Sequence, residues 1–265
     1  RKIMSSSETT SSSGTWRTPA VVITAGCLIA IFGFGVRAVF GFFQEPLIEA
    51  KGWSHETFSL AMAIQNLFWG LGLPIAGYVA DRFGPTRVLG LGAVIYFIGI
   101  WGMATSDGAM SLHIFGGVLA GIGVSFTSFS IAMAAMARVV GPEKRSLALG
   151  LGTAAGSAGQ MLFSPLAHYW INAYGWLPAM YILAGIVMLI VPLALALPSG
   201  RAGVGEVESD QGLLDALREA KNHSGFVLLT IGFFVCGFHV AFITVHFPSY
   251  INDLGMGGEV AAIGL

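Results

Sequence analysis

At 265 residues the chain is 55% hydrophobic and only 10% charged. A soluble domain carries roughly 25% charged residues, so an ordinary water-soluble globule is excluded. A formal net charge of -1 gives no electrostatic case for nucleic acid, and Cys27 and Cys236 read as small buried hydrophobes far apart in apolar runs, implying neither a disulfide framework nor a metal site.

The chain opens on a Ser/Thr-rich polar stretch, residues 1–18, that reads as a disordered tail with Met4 as the initiator. A cleavable signal peptide is not expected: the first apolar run is too long and no small-residue cleavage site follows it. About 20 apolar residues cross a bilayer as a helix. Runs of that kind fall at about 19–48, 55–80, 87–106, 110–138, 146–172 and 175–197, with a seventh at 225–251. An eighth begins near Glu259 and is cut off at Leu265, so the chain reads as a fragment that stops inside a helix. The fold class expected is an all-α membrane protein, with a six-helix bundle over 19–197, a linker over 198–224 and the start of a second bundle over 225–265.

Basic residues set the orientation. With the N-terminus in the cytoplasm, the inner segments collect Arg1, Lys2, Arg17, Arg82, Arg87, Arg138, Lys144, Arg145, Arg201, Arg218 and Lys221, while the outer loops collect only Lys51. Cytoplasmic loops carry such an excess of Lys and Arg. A multi-pass protein of a cell (inner) membrane is therefore expected. Within the linker, "GLLDALREAKN" reads as a short amphipathic helix on the cytoplasmic surface. The seventh run, "GFHVAFITVHFPSYINDLG", partly echoes "GFGVRAVFGFFQEPLIEAKG" of the first, a weak sign of duplication.

Arg37 stands alone inside "IFGFGVRAVFGFF". A charge at that depth costs at least about 2.5–3.5 kcal/mol on insertion scales, and such residues usually face a water-filled cavity. Two readings stand: the side chain snorkels to the outer interface, or its planar fork receives a carboxylate. Gly33, Arg37 and Gly41 share one face, which favours a stripe where helices or substrate approach. A guanidinium keeps its proton, so proton transfer would fall to another group. His239, mid-span in the seventh run, is the titratable candidate, and His246 a weaker one. Gln65, Asn66, Thr127, Ser128 and Gln160 also lie at cavity depth. Each either bonds a carboxylate or stitches two helices together, the stitching role being the commoner for any one of them. Gly152, Gly156 and Gly159 read as packing positions. Neither a nucleophile–base pair nor metal-ligand spacing occurs in the runs, so no enzyme and no cofactor is expected.

Between the second and third runs lies "GYVADRFGPTRVLG". Asp81 is expected at or just before the start of the third helix, where free backbone N–H groups favour a carboxylate, with Arg82 and Arg87 pairing with it or with a neighbouring helix end. This stretch resembles the cytoplasmic motif of the major facilitator superfamily, matched by Gly77, Asp81, Arg82, Gly84 and Arg87, with Thr86 in place of the first of the last basic pair. The resemblance implies a gate latch on the cytoplasmic side and two six-helix halves. An arginine that many sugar and drug carriers hold in the fourth span is replaced by Gly117. The glycine- and proline-bearing element of drug antiporters is absent from "GTAAGSAGQ".

"GVRAVFGFFQE", "GIGVSFTSFS" and "EKRSLALGLGTAAGSAGQ" are similar to the monocarboxylate transporter and oxalate–formate antiporter branch. That resemblance implies secondary transport of a small organic anion, coupled to protons, or exchange of one carboxylate for another; the alternatives are a carrier of another substrate class and a transport-inactive sensor. A lysine of the monocarboxylate carriers has a place similar to that of Arg37. The substrate-binding set expected from residues and resemblance together is Arg37, Thr127, Phe129, Asn66, Gln160 and His239. The partners expected are the anion, protons and the lipid bilayer.

Overall fold

The computed structural model describes residues 17–140, 142–198, 213–256 and 258–264. All regular structure among them is helical. The expected tail and most of the expected linker lie outside the described residues.

The first helix starts at Pro19, whose missing N–H costs nothing at a helix start, and Thr18 accepts from the Val21 amide at 3.4 Å. It runs to Lys51 through a tight 3-10 turn at Phe40–Phe43. Pro46 accounts for that turn: its ring would clash with the carbonyl of Phe42 in a regular helix. Gly52, at φ 66°, closes the element in the left-handed conformation that glycine adopts freely.

The second helix, His55–Phe83, is capped by the Ser54 hydroxyl, which accepts from the Thr57 amide at 3.2 Å. Gly84, at φ 89°, and Pro85 turn the chain directly into the third helix, Pro85–Thr105. The fourth span, Ala109–Val139, is not one regular helix. A π-helical segment occupies His113–Leu119, and the helix breaks at Thr127 and Ser128 before restarting as Phe129–Val139. The fifth helix, Arg145–Tyr174, and the sixth, Trp176–Ala196, complete the bundle. Beyond it come Leu213–Asn222, Ser224–Asp253 and Gly258–Gly264.

Among the described residues, six helices are long and apolar enough to cross a membrane. The sequence reading expects seven spans. The difference is Arg145–Tyr174, which has the length but is rich in Gly, Ser and Thr. It nevertheless packs against the first, fourth and sixth helices as a full member of the bundle. Small residues make that possible, since lipid-embedded helices associate through close van der Waals packing rather than through the hydrophobic effect. At Gly159 a side chain would strike the backbone of Ile31, so the first and fifth helices touch there.

Ser224–Asp253, called the seventh helix because it matches the seventh apolar run, meets the bundle only near its C-terminal end, where Pro248, Ser249 and Ile251 are buried. Pro248 lacks the N–H that would satisfy the Thr244 carbonyl in a regular helix. That carbonyl lies against Gly41, where any side chain would overlap it. Cys236 is exposed on this helix and Cys27 is half-buried, so the expectation of two buried cysteines does not hold: the face of the seventh helix that bears Cys236 packs against nothing described.

Candidate functional site

Arg37 lies one turn before the 3-10 turn of the first helix. Its Nη2 donates to Asn66 Oδ1 at 2.7 Å, and the guanidinium carbon sits 4.2 Å from the centre of the Trp69 ring. The Asn66 amide is fixed from its other side as well, because its Nδ2 donates to the Met62 carbonyl at 2.8 Å. Asn66 and Trp69 are three apart on the second helix and so share a face. Phe34 completes the wall, edge-on to Trp69 at 6.3 Å and to Phe129 at 4.8 Å. Arg37, Asn66 and Phe129 of the expected set are thus brought together, and Trp69 and Phe34 join them.

The energetics suit a cation kept without a counter-ion. Among the described residues no carboxylate forms an ion pair with Arg37. A hydrogen bond to a charged group contributes about 1.5–3 kcal/mol, and a desolvated cation–π contact up to about 2 kcal/mol. Together these match the roughly 2.5–3.5 kcal/mol that insertion of the charge costs. None of the Arg37 nitrogens is a buried atom lacking a partner. The N–H groups not engaged by Asn66 make no hydrogen bond among the described residues, so the fork keeps donors to offer with its positive charge intact.

Thr127 is placed differently. It is buried, its hydroxyl donates to the Gly123 carbonyl at 2.8 Å, and its own carbonyl faces Gly33. It serves the break in the fourth helix rather than presenting its hydroxyl to Arg37. Ser128 caps the restart, accepting from the Ser130 amide at 3.3 Å. Gln65 stitches: its Nε2 donates at 2.9 Å to the Gly116 carbonyl in the π segment, where carbonyls leave the regular four-residue ladder. The Gln160 side chain makes no hydrogen bond among the described residues, although its carbonyl accepts from Ser164 at 3.0 Å. His239 is exposed, with Nδ1 2.9 Å from the Val235 carbonyl of its own helix. Neither residue joins the Arg37 group.

At the other motif, Asp81 lies in the last turn of the second helix. The expected position at the start of the third is corrected, because Gly84 and Pro85 set the boundary later. Its partner is Arg138 at the end of the fourth span, 2.9 Å away, rather than Arg82 or Arg87. Arg82 donates to the Tyr78 hydroxyl at 3.2 Å and Arg87 is exposed. Gly77, Asp81 and Arg138 border a cavity of about 130 Å3. In sequence Arg138 shows only as one basic residue at a span end.

The chain is 27% identical over 253 residues to an uncharacterised MFS-type transporter, YcxA, of Bacillus subtilis, covering 88% of this chain and 59% of the relative. It is 25% identical to human monocarboxylate transporter 11, over 77% of this chain and 42% of the relative. To the oxalate:formate antiporter of Oxalobacter formigenes it is also 25% identical, over 94% of this chain and 59% of the relative. The chain spans about half the length of these relatives. Among solved structures it is similar to a bacterial homologue of the human lysosomal transporter Spinster in an inward-facing, unoccupied conformation. That match has a TM-score of 0.69 at 21% identity, covering 95% of this chain and 59% of that one. A bundle of apolar helices, a charged turn between the second and third of them, and a family model matched over residues 25–265 converge: this chain belongs to the Major Facilitator Superfamily.

Proposed function

We propose that the protein is a secondary active transporter of a small monocarboxylate, with Arg37 as the cationic anchor of its substrate site. The observation that carries this reading is the Arg37 guanidinium, held by Asn66 and Trp69 with N–H groups left free. Such a fork suits a carboxylate, which accepts two parallel hydrogen bonds from it. The rings of Phe34, Trp69 and Phe129 offer apolar surface for a short tail to pack on. The similarity to monocarboxylate transporter 11 supports the substrate class.

On this reading residues 19–197 form one half of the carrier and residues from 225 onward begin the second, rocking about a site near the midplane. The membrane is the cell's inner membrane, and the end bearing Asp81 is cytoplasmic, in accord with its excess of basic residues. Protons are the coupling ion. A second reading, exchange of one carboxylate for another, is favoured by the similarity to the oxalate:formate antiporter across 94% of this chain.

Uptake of a labelled monocarboxylate into proteoliposomes of the full-length protein tests the proposal. Arg37→Ala lowers uptake at least tenfold and Arg37→Lys leaves a weaker carrier with raised KM. Unchanged kinetics in both variants remove Arg37 from the site. A proton gradient that drives accumulation selects symport; dependence on substrate inside the vesicle selects exchange.

A further inference from the structure

Gly152, Gly156 and Gly159 are all buried on the fifth helix, and their spacing of four and then three residues puts them on one face. The sequence reads the three alike, as packing positions, but the structure separates them. A Cβ at Gly152 would lie 2.7 Å from Cγ of Met133 and 2.9 Å from Cε of Met136. One at Gly159 would strike the backbone of Ile31. At Gly156 the same atom would meet only Phe34, 3.9 Å from its Cγ, an ordinary van der Waals contact. Packing therefore does not require a glycine at this position. Glycine is also a poorer helix former than alanine, so its presence costs stability and leaves room beside one aromatic ring. That ring belongs to the Arg37 group. Phe34 precedes Arg37 by three residues and shares its face of the first helix, about 4.5 Å away along the axis at 1.5 Å per residue. The second and fourth helices bear on Phe34 with rings, Trp69 at 6.3 Å and Phe129 at 4.8 Å. The fifth helix presents no side chain to it at Gly156.

We propose that Gly156 determines specificity: the room its missing side chain leaves beside Phe34 sets how long an apolar tail the Arg37 site accepts. This rests on the carboxylate reading above and narrows it to monocarboxylates with an unbranched tail of several carbons. The tail of a carboxylate held on the Arg37 fork packs on Phe34, and the ring gives way toward Gly156 as the tail lengthens. Each further methylene then gains apolar burial. A side chain at this position props the ring in place. A long tail then finds no room, while a tail that ends before Phe34 is unaffected. An apolar site discriminates a single misfitting methylene by about tenfold or more, so the effect is large enough to read in transport.

The test compares uptake of labelled acetate and labelled pentanoate into proteoliposomes of the full-length protein, for the parent, Gly156→Ala and Gly156→Leu. The kcat/KM for pentanoate relative to acetate is expected to fall several-fold in Gly156→Ala and at least tenfold in Gly156→Leu. Acetate uptake stays within about twofold of the parent in both. Thermal unfolding without substrate gives a second readout: Gly156→Ala holds or raises the midpoint, whereas Gly159→Ala lowers it by several degrees. An unchanged ratio in both variants overturns the proposal. So does a midpoint for Gly156→Ala as low as that of Gly159→Ala, which assigns the glycine to packing, or a parent that moves acetate but no pentanoate. If Gly156→Leu does not fold, the ratio in Gly156→Ala decides alone. A parent that moves neither acid refutes the carboxylate reading and this role with it; a parent that moves both, with the ratio unmoved in the variants, refutes this role alone.

Discussion

Arg37 and Trp69 stand face to face, 4.2 Å from guanidinium carbon to ring centre, with the first helix supplying the charge and the second the ring. The ring holds the cation without neutralising it, which a carboxylate in the same place could not do. Replacing Trp69 by alanine removes an attraction of up to about 2 kcal/mol and lets the fork swing. Carboxylate transport in Trp69→Ala is expected to fall about tenfold, mainly through a raised KM, while Trp69→Phe keeps most of it. Equal losses in the two variants show that the face of the ring is not what holds Arg37.

Asn66 offers a sharper test. Its Oδ1 already accepts from Arg37, so Asn66→Asp converts a neutral acceptor into a counter-ion at the same distance of 2.7 Å. Burying the new carboxylate costs several kcal/mol, which the 2.7 Å pairing with Arg37 offsets while it holds. The variant is therefore expected to fold and reach the membrane like the parent. Its affinity for an organic anion drops at least tenfold, because the fork is occupied and the site is neutral. Direct binding of a labelled carboxylate to purified protein, beside a thermal unfolding curve, separates the two effects.

How far the sequence carries differs from element to element. The spans are legible because a bilayer demands long apolar runs, and observed helix ends such as Phe83 and Val139 lie within a few residues of where those runs stop. The break in the fourth span is not legible, for no proline or glycine stands at Thr127 or Ser128; the hydroxyls that satisfy the freed backbone are ordinary in any helix. The Arg37–Asn66 pair is half-legible, each residue being conspicuous alone while their meeting depends on how two helices pack. Trp69 escapes notice because an aromatic residue in an apolar run carries no signal of its own. The late end of the second helix was readable from Gly84 and Pro85, the usual marks of a helix stop followed by a start.

The Asp81–Arg138 pair joins the second helix to the fourth, with Asp81 largely exposed and Arg138 one-third exposed. Exposed pairs contribute about 0–1 kcal/mol, so Arg138→Ala is expected to leave the unfolding temperature nearly unchanged. A gating role moves a different quantity. Transport drops several-fold in Asp81→Arg and in Arg138→Asp, and recovers when the two changes are combined. Failure of the double variant to recover assigns the pair to orientation of the loop alone.

Close packing at Gly123 yields the prediction with the clearest sign. An added Cβ there would lie 2.5 Å from the Cα of Tyr96, and backbone atoms cannot move aside as a flexible side chain can. The third and fourth helices must therefore separate, and overpacking of this kind costs about 1–3 kcal/mol or more. Gly70, on the exposed face of the second helix, has nothing within 4 Å of the same hypothetical atom. Alanine there removes only the backbone entropy penalty of glycine in a helix, a gain of about 0.8–1 kcal/mol. Gly123→Ala is expected to lower the midpoint of thermal unfolding in detergent by several degrees, and Gly70→Ala to hold or raise it. Equal midpoints for the two variants contradict the contact between Gly123 and Tyr96. That contact fixes the start of the segment that ends in the break at Thr127, so its loss is also expected to displace Phe129 from Phe34 and weaken transport beyond what stability alone accounts for.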